Sequence, residues 1–270
     1  MPEGDTIHRW RRRLDAALTG HVLTRFELRR DPRGTRPPPP GTVITGVEAR
    51  GKHLLVHFDD GAVLHTHMEL LGRWDTYRRG ERWRRPGHTA RAVIEIDDGT
   101  SAVCFAAPIV ELRRAGRASA PTRASRSLDA LGPDLCRDDV DLDEILRRVA
   151  TSDGEQTIGD VLLDQRVAAG IGNVFKSEIC WVHRVHPFTP LRAIDQPLRH
   201  ALYETAHTML RGNVDTPRRI TYKGGLAVYN KAGKPCPRCR TPIAQTYGGD
   251  TERTTFWCPT CQPAPTTATE

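Results

Sequence analysis

The hydrophobic residues at the start of the chain recur every three or four positions, which is the spacing of an α-helix. This pattern runs from Asp5 to Thr19, and Gly20 follows it as a C-terminal stop. After Gly20 the hydrophobic period falls to two, the period of a half-buried β-strand. The sequence therefore predicts a single N-terminal helix followed by strands. The apolar face of that helix consists of Ile7, Trp10, Leu14, Ala17 and Leu18.

Segments of period two continue as far as residue 105 and are separated by turn signals. Two Asp-Asp-Gly sequences, at residues 59–61 and 97–99, are typical of β-hairpins. One helix beside an antiparallel β-sandwich or barrel is the architecture that this half favours. The strand-like segments are residues 22–28, 42–48, 53–58, 62–67, 89–96 and 101–105.

The second half of the chain returns to helical spacing after a basic linker. Residues 113–127 are rich in Arg, Ala, Ser and Pro and show little periodicity, as inter-domain linkers do. Four apolar stripes then indicate four helices. These stripes are Leu142, Ile145, Leu146 and Val149; Val161, Leu162 and Leu163; Val174, Phe175, Ile179 and Val182; and Leu198, Leu202, Ala206, Met209 and Leu210.

These segments predict an α+β fold in four parts. From about residue 216 the chain changes to strands and turns around two pairs of cysteines, and it ends in a polar stretch that we expect to be disordered. The parts are a β-sandwich domain with its linker (1–127), a helical domain (128–215), a hairpin that carries the cysteines (216–262) and a tail (263–270).

The charge balance favours a polyanionic partner. Lys and Arg number 40 against 33 Asp and Glu, which gives a formal net charge of +7. Nucleic acid and an acidic membrane surface both fit such a balance. The chain contains no apolar run of transmembrane length and no signal-peptide segment, so we expect a cytoplasmic protein and no membrane partner. We also expect a monomer.

Four of the seven cysteines form two Cys-x-x-Cys pairs. Cys236 and Cys239 are separated from Cys258 and Cys261 by 18 residues, a spacing typical of a four-cysteine zinc site. Four thiolates complete the tetrahedron and leave no position for water, so the predicted zinc is structural, and no organic cofactor is indicated. A redox pair or an iron site is the alternative. The other cysteines, Cys104, Cys136 and Cys180, lie among apolar neighbours and are expected to be buried thiols.

The first residues of the chain carry a candidate nucleophile. If Met1 is removed, Pro2 becomes the terminus, and its secondary amine can attack an aldehyde carbon to form an iminium. An α-amino group titrates at about 7.7–8.0, well below the roughly 10.4 of lysine, so part of it is unprotonated at neutral pH. Glu3 follows at once and can act as a general acid or base. The alternative is an ordinary frayed terminus.

Four further motifs are each ambiguous alone. The turn at residues 170–173 places Asn173 near a helix N-terminus, where backbone amides bind phosphate, although a capped helix hairpin has the same pattern. Lys52 lies in a tight turn, and Arg253 lies between the cysteine pairs; either could be an ordinary solvated charge. His65 and His67, with Glu69 nearby, suggest packing or phosphate contacts more than a metal site.

Together these motifs resemble those of the formamidopyrimidine-DNA glycosylase and endonuclease VIII family, in the same order and over residues 2–262. The shared motifs are Pro2-Glu3-Gly4, Gly51-Lys52-His53, the segment 164–173 and the terminal cysteine hairpin with Arg253. The resemblance implies a bifunctional DNA glycosylase and abasic-site lyase that acts on damaged DNA in base excision repair.

The resemblance also implies a role for each matching residue. Pro2 would attack C1′ of the damaged nucleotide, and Glu3 would be the general acid/base at the sugar. Lys52 would assist base loss and β-elimination while contacting phosphate. Asn173 and Arg253 would bind the phosphates that flank the lesion, and Arg253 would also serve a second, δ-elimination. Two arginines of the linker, Arg123 and Arg126, would lie near the DNA.

Two departures favour the endonuclease VIII branch, which prefers oxidised pyrimidines. Residues 107–111 lack the Arg and Phe that fill the space left by the flipped base in the formamidopyrimidine branch, and Leu70 and Leu71 offer an apolar wedge instead. Residues 218–228 are also too short for the base-capping loop of 8-oxoguanine enzymes. The alternatives are an 8-oxoguanine, formamidopyrimidine or abasic-site specialist, and a zinc-hairpin DNA-binding protein without catalysis.

Overall fold

In a computed structural model of the protein, the described residues are 2–29, 35–114, 123–248 and 253–265, with only the backbone described at 123–125. The chain divides into two compact units, unit 1 (Met1–Asp129) and unit 2 (Ala130–Glu270). The finer division into four parts stays a prediction. No helix in the described ranges has the length and apolar character that crossing a membrane requires.

Unit 1 begins with the predicted helix, α1 (Gly4–Leu18). The backbone carbonyl of Glu3 accepts hydrogen bonds from the backbone N–H groups of Thr6 and Ile7, at 2.9 and 3.1 Å, and so starts the helix. Ile7, Leu14 and Leu18 are buried along one face and join the sandwich core. Burial of that face fixes the first residues of the chain against the sandwich.

The rest of unit 1 is two four-stranded antiparallel sheets, in the orders β1-β6-β7-β5 and β2-β3-β4-β8. Apolar residues from both sheets and from α1 form one core between the layers. This arrangement confirms the predicted α+β class with its sandwich. The strands are β1 (Leu23–Leu28), β2 (Ile44–Arg50), β3 (His53–Phe58), β4 (Ala62–His67), β5 (Arg73–Arg78), β6 (Ala90–Ile96), β7 (Thr100–Phe105) and β8 (Ile109–Arg114).

Three elements of unit 1 were not predicted from the sequence. Strand β5 buries only Trp74 and Tyr77, so its pattern is not period two. Strand β8 pairs with β4 through its backbone although its second half is charged, which places residues 113 and 114 in a sheet and not in a linker. The predicted linker also contains a short helix, α2 (Arg123–Asp129), so the assignment of residues 113–127 as irregular was wrong at both ends.

Unit 2 contains the four predicted helices and a β-hairpin. Three helices begin at a side-chain cap, in which the carboxylate or hydroxyl of the N-cap residue accepts a backbone N–H from the first turn: Asp141, Thr157 and Asp195. The elements are α3 (Leu142–Ala150), α4 (Ile158–Leu163), α5 (Asn173–Val182), α6 (Gln196–Asn213), β9 (Ala244–Gly248) and β10 (Arg253–Trp257).

Helix α5 is the central element of unit 2 and is buried around nearly its whole circumference. Phe175 and Ile179 pack in the helical core, whereas Trp181 packs in a separate cluster with the cysteine hairpin. Helix α4 lies close to the segment that follows α5, because a Cβ on Gly159 would be 2.8 Å from the carbonyl oxygen of Pro187. Glycine is therefore required at 159 for this packing.

Candidate active site and cysteine hairpin

The predicted nucleophile and acid/base lie immediately before α1. Pro2 is half-buried, and Glu3 is completely buried at the N-cap position of the helix. A carboxylate at 0 % exposure is costly unless it has partners, and a frayed terminus would not hold it there. The structure therefore excludes the alternative of a frayed end for Glu3.

Lys52 lies in a two-residue loop that joins β2 to β3. Arg50 and His53 pair across the base of this loop, and Gly51 has φ 56°, the left-handed conformation that such hairpin loops require. Lys52 is half-buried, and helix α1 packs on β2 and β3. The tight loop therefore gives the lysine a fixed backbone position within unit 1.

Three histidines, His53, His65 and His67, lie side by side on the neighbouring strands β3 and β4, and His53 directly follows Lys52. Nδ1 of His53 and Nε2 of His65 are 2.8 Å apart, and the rings of His53 and His67 lie 4.6 Å apart between centroids. Among the described residues, these histidines are not one of the groups whose ligand atoms could meet on a metal ion, so their contacts are interpreted as packing contacts. A guanidinium nitrogen of Arg113 lies 3.1 Å from Nδ1 of His65.

All three imidazoles are held neutral. Burial, assisted by neighbouring positive charge, lowers the pKa of His53 to about 2, that of His65 to about 3 and that of His67 to about 4. The positive charge of Lys52 contributes to the lowered pKa of His53 and of His67.

The predicted wedge residues are on the surface. Leu70 and Leu71 are 65 % and 79 % exposed, the largest exposures among the described large hydrophobic residues of unit 1. Their turn is tight, because the N–H of Gly72 donates to the carbonyl of Met68 at 2.9 Å and a Cβ on Gly72 would clash with that carbonyl. Neither leucine therefore packs inside the sandwich.

Asn173 and Arg253, 80 residues apart in sequence, meet at one place in unit 2. The side-chain Nδ2 of Asn173 donates a 2.7 Å hydrogen bond to the carbonyl of Thr254, the residue after Arg253. Arg253 itself begins β10 and is exposed. The first turn of α5 therefore holds the start of the strand that carries this arginine.

A second contact of the same kind was missed from the sequence. Lys176 is buried at 2 % exposure, and its Nζ donates to Oγ1 of Thr255 at 2.7 Å. Lysine is rarely buried unless it is paired. The position of Lys176 about one turn after Asn173, between the apolar residues Phe175 and Ile179, is a sequence signal that could have identified it.

Glu178 was also missed, although its carboxylate accepts four hydrogen bonds. Its carboxylate accepts three consecutive backbone N–H groups, from Ala227, Val228 and Tyr229, at 2.8–2.9 Å, and the hydroxyl of Thr221. The side chain is fully buried. It fixes the segment between α6 and the cysteine hairpin to the middle of α5.

The four cysteines of the predicted zinc site come together. Their sulfur atoms all lie within 4.8 Å of one another, so the group could hold one metal ion. Nε1 of Trp181 donates to Sγ of Cys236 at 3.4 Å, and the Arg238 guanidinium lies 4.1 Å from the Trp181 ring centroid. Gln262 joins the second cysteine pair to the carbonyl of Val185 at 2.8 Å. The first cysteine pair is therefore docked on α5, and the second on the segment that follows α5.

The two remaining predicted residues are in the segment around α2. Arg126 is exposed in that helix, and the side chain of Arg123 lies outside the described residues. Their proposed DNA contacts stay predictions.

The sequence matches two domain families over most of its length. Residues 1–118 match the formamidopyrimidine-DNA glycosylase N-terminal domain, and residues 131–223 match the formamidopyrimidine-DNA glycosylase H2TH domain. The chain is 38 % identical to the probable endonuclease 8 2 of Streptomyces coelicolor, over 98 % of this chain and 95 % of that protein. It is 37 % identical to the DNA-(apurinic or apyrimidinic site) lyase Nei2 of Mycolicibacterium smegmatis, over 98 % and 100 %.

Solved structures show the same fold. The formamidopyrimidine-DNA glycosylase of Lactococcus lactis, bound non-covalently to abasic-site DNA, superposes with a TM-score of 0.78 at 22 % identity, over 97 % of this chain and 100 % of that one. The corresponding protein of Thermus thermophilus superposes with a TM-score of 0.76 at 26 % identity, over 97 % and 98 %. On the full-length similarity to the endonuclease 8 relatives and the two domain matches, the chain belongs to the formamidopyrimidine-DNA glycosylase and endonuclease VIII family.

Proposed function

We propose that the protein is a DNA glycosylase and abasic-site lyase of base excision repair, with the amine of Pro2 as its nucleophile once Met1 is removed. The observation that carries the chemistry is the buried Glu3 at the start of α1, directly after Pro2. The names of its relatives, endonuclease 8 and abasic-site lyase, support both activities on damaged DNA.

The position before a helix suits an amine nucleophile. The N-terminus of α1 carries a partial positive charge, which disfavours a second positive charge nearby and so favours the unprotonated amine. The amine bonds to C1′ and loses its proton as the bond to the damaged base breaks. The C1′–O4′ bond then opens, with Glu3 supplying the proton to O4′, and an iminium forms between Pro2 and C1′. The resulting iminium acidifies the proton on C2′, and its removal expels the 3′ phosphate.

Lys52, Asn173 and Arg253 are proposed to act on phosphates. Lys52 is held by its tight loop in unit 1, and Arg253 begins β10 in unit 2. The amide of Asn173 already donates to Thr254, so we infer that Asn173 supports the strand that carries Arg253 in addition to any phosphate contact of the α5 N-terminus. Arg253 would also promote δ-elimination.

We propose that the four cysteines hold one structural zinc. Four thiolates at mutual contact suit tetrahedral zinc and leave no open ligand position, so the metal would supply stability to the hairpin and no catalytic step. We also infer a cytoplasmic location, since none of the seven cysteines forms a disulfide and the proposed substrate is DNA.

We propose oxidised pyrimidines as the lesions. The exposed Leu70 and Leu71 are available as a wedge, and the segment between α6 and residues 227–229, which Glu178 anchors, is short for a cap over the base. A second candidate is an abasic-site lyase with little base removal, which the name of the Mycolicibacterium smegmatis relative supports.

Borohydride trapping tests the nucleophile, because only an amine that forms an iminium becomes covalently attached to DNA. We expect an adduct with abasic-site and dihydrouracil duplexes when the tag is at the C-terminus. The same protein with an uncleaved N-terminal tag is the matched control and should give none. An adduct of equal yield with the blocked N-terminus would exclude Pro2.

The variant Glu3→Gln separates base release from strand cleavage. We expect base release from dihydrouracil DNA to slow by about 100-fold, as for loss of a general acid. Trapping on a preformed abasic site should fall less, because no base has to leave. Strong trapping on abasic DNA, without base release from any oxidised pyrimidine in the wild type, would instead support the second candidate.

A further inference from the structure

The hydrogen bonds of the histidine cluster in unit 1 have a defined donor-to-acceptor direction. A guanidinium can only donate hydrogen bonds, so Nδ1 of His65 must accept from Arg113 across their 3.1 Å contact. A neutral His65 then carries its proton on Nε2 and donates it to Nδ1 of His53 across the 2.8 Å contact. His53 must in turn carry its own proton on Nε2. Arg113 is itself placed by Glu111, 3.5 Å away.

The last donor in this series is open. Residue His53 is 4 % exposed, yet its Nε2–H has no acceptor among the residues that the structure describes. Nε2 of His53 is not one of the fully buried polar atoms without a partner in the described ranges, so this N–H is reachable from solvent. Such a group is expected where a ligand supplies the acceptor, and His53 directly follows Lys52, a proposed phosphate contact.

We propose that His53 is a further DNA-contacting residue, whose Nε2–H donates to a phosphodiester oxygen beside Lys52, and that Arg113 and His65 are positioning residues that fix its tautomer. The inference rests on the proposed function, because the ligand is the DNA that Lys52 contacts.

The surroundings keep His53 a neutral donor. The charged and titratable groups that face it are Lys52 at the start of β3, His65 and His67 on β4, and Arg113 on β8. Burial and these positive or ionisable neighbours lower the pKa of His53 to about 2, so the ring does not gain a proton between pH 5 and 8. The donor therefore adds a hydrogen bond to the phosphate without adding charge.

Binding to a duplex that contains tetrahydrofuran, a non-cleavable abasic analogue, tests the contact. We expect His53→Phe, which removes the donor, to raise Kd by roughly tenfold, the effect of losing one hydrogen bond to a charged group. His53→Gln places an amide N–H near the position of Nε2 and should restore most of the affinity. Equal affinity of the wild type and both variants would overturn the proposal.

The salt dependence of the same binding separates the donor from a charge. The slope of log Kd against log salt should be unchanged in His53→Phe, because no phosphate charge is neutralised by a neutral ring. In Lys52→Gln the slope should fall by about one. A change of slope in His53→Phe would show that the ring binds as a cation and would contradict the neutral donor.

The tautomer can be measured without DNA. Two-bond 15N–1H correlation spectra of the free protein should show His53 and His65 protonated on Nε2 and unchanged from pH 8 to 5. Arg113→Met should give mixed tautomers at both rings, and Arg113→Lys, which keeps a donor, should not. Protonation of His53 on Nδ1 would overturn the positioning role. Fixed tautomers in a protein that gives no borohydride adduct would mean that the proposed enzymatic function had failed and the geometry had not.

Discussion

At the scale of single residues, the buried histidines of unit 1 link stability to pH. Their pKa values, about 2 for His53, 3 for His65 and 4 for His67, all lie below the ordinary value of about 6.5. Below pH 6.5 these three imidazoles bind protons in the unfolded chain but remain neutral in the folded chain. Stability from these groups is therefore complete above about pH 6.5 and declines as the pH falls towards their folded pKa values.

Replacing one histidine of the cluster should reduce this acid sensitivity. Each neutral buried imidazole costs about 1.4 kcal/mol of stability per pH unit below 6.5. We expect His65→Asn to be less stable than the wild type at pH 7.5 but to lose less on going to pH 5. Urea unfolding of unit 1, followed at both pH values, measures the difference.

The control for this comparison is His57→Asn, on the same strand β3. The imidazole of His57 is 37 % exposed, so its replacement should leave the pH dependence of the unfolding free energy close to that of the wild type. If His65→Asn lost as much stability between pH 7.5 and 5 as His57→Asn, the cluster would not be the origin of the acid sensitivity.

At the scale of elements, helix α5 connects the parts of unit 2. Its first turn binds β10 through Asn173 and Lys176, its middle binds residues 227–229 through Glu178, and its last turn contacts the cysteine hairpin through Trp181. A helix with such contacts on every side needs polar residues at buried positions. This requirement explains why α5 contains a lysine and a glutamate that are almost completely buried.

Glu178→Gln should destabilise unit 2 strongly. An amide has one oxygen to accept hydrogen bonds, and its NH₂ group would face N–H donors that the carboxylate now satisfies. We expect a loss of about 2–4 kcal/mol in the free energy of unfolding and faster hydrogen exchange at residues 227–229. Denaturant unfolding and amide exchange by mass spectrometry measure the two effects.

The matched control is Glu155→Gln, which breaks an exposed ion pair with Arg192. Exposed pairs contribute little, so its effect should stay within about 0.5 kcal/mol. Comparable losses for the two variants would mean that Glu178 does not anchor this segment.

A helix or strand could be predicted from the sequence where regularly spaced apolar residues or a turn signal mark it. Helix α1 was located correctly because it buries one regular set of apolar residues. Strands β3 and β4 were located correctly because the turn signal at residues 59–61 separates them, although neither buries strictly alternate residues. Strand β8 was missed because backbone pairing with β4 holds it in the sheet despite its charged second half. A local pattern does not contain the partner strand, so such elements depend on contacts that the sequence does not display.

At the scale of the whole molecule, the sequence identified the site residues through motifs and not through their contacts. Pro2, Glu3 and Lys52 were named from position and spacing, and the four cysteines from their pairs. Contacts between distant positions were not predictable, such as that of Asn173 with Thr254 or of Arg113 with His65. Such contacts depend on how strands and helices pack against one another. A single sequence does not show which side chains that packing brings together.

The net charge of +7 should make DNA binding strongly dependent on salt. The contribution of a single charged side chain should be measurable as a change in the slope of log Kd against log salt. A cation that neutralises a phosphate releases counterions, so its removal lowers the slope of log Kd against log salt by about one. We expect this for Arg253→Gln, measured on the tetrahydrofuran duplex between 50 and 200 mM salt. Arg192→Gln, which removes an arginine already paired with Glu155, should leave the slope unchanged. If both variants lowered the slope equally, the protein would bind DNA through its overall charge, and Arg253 would have no specific role.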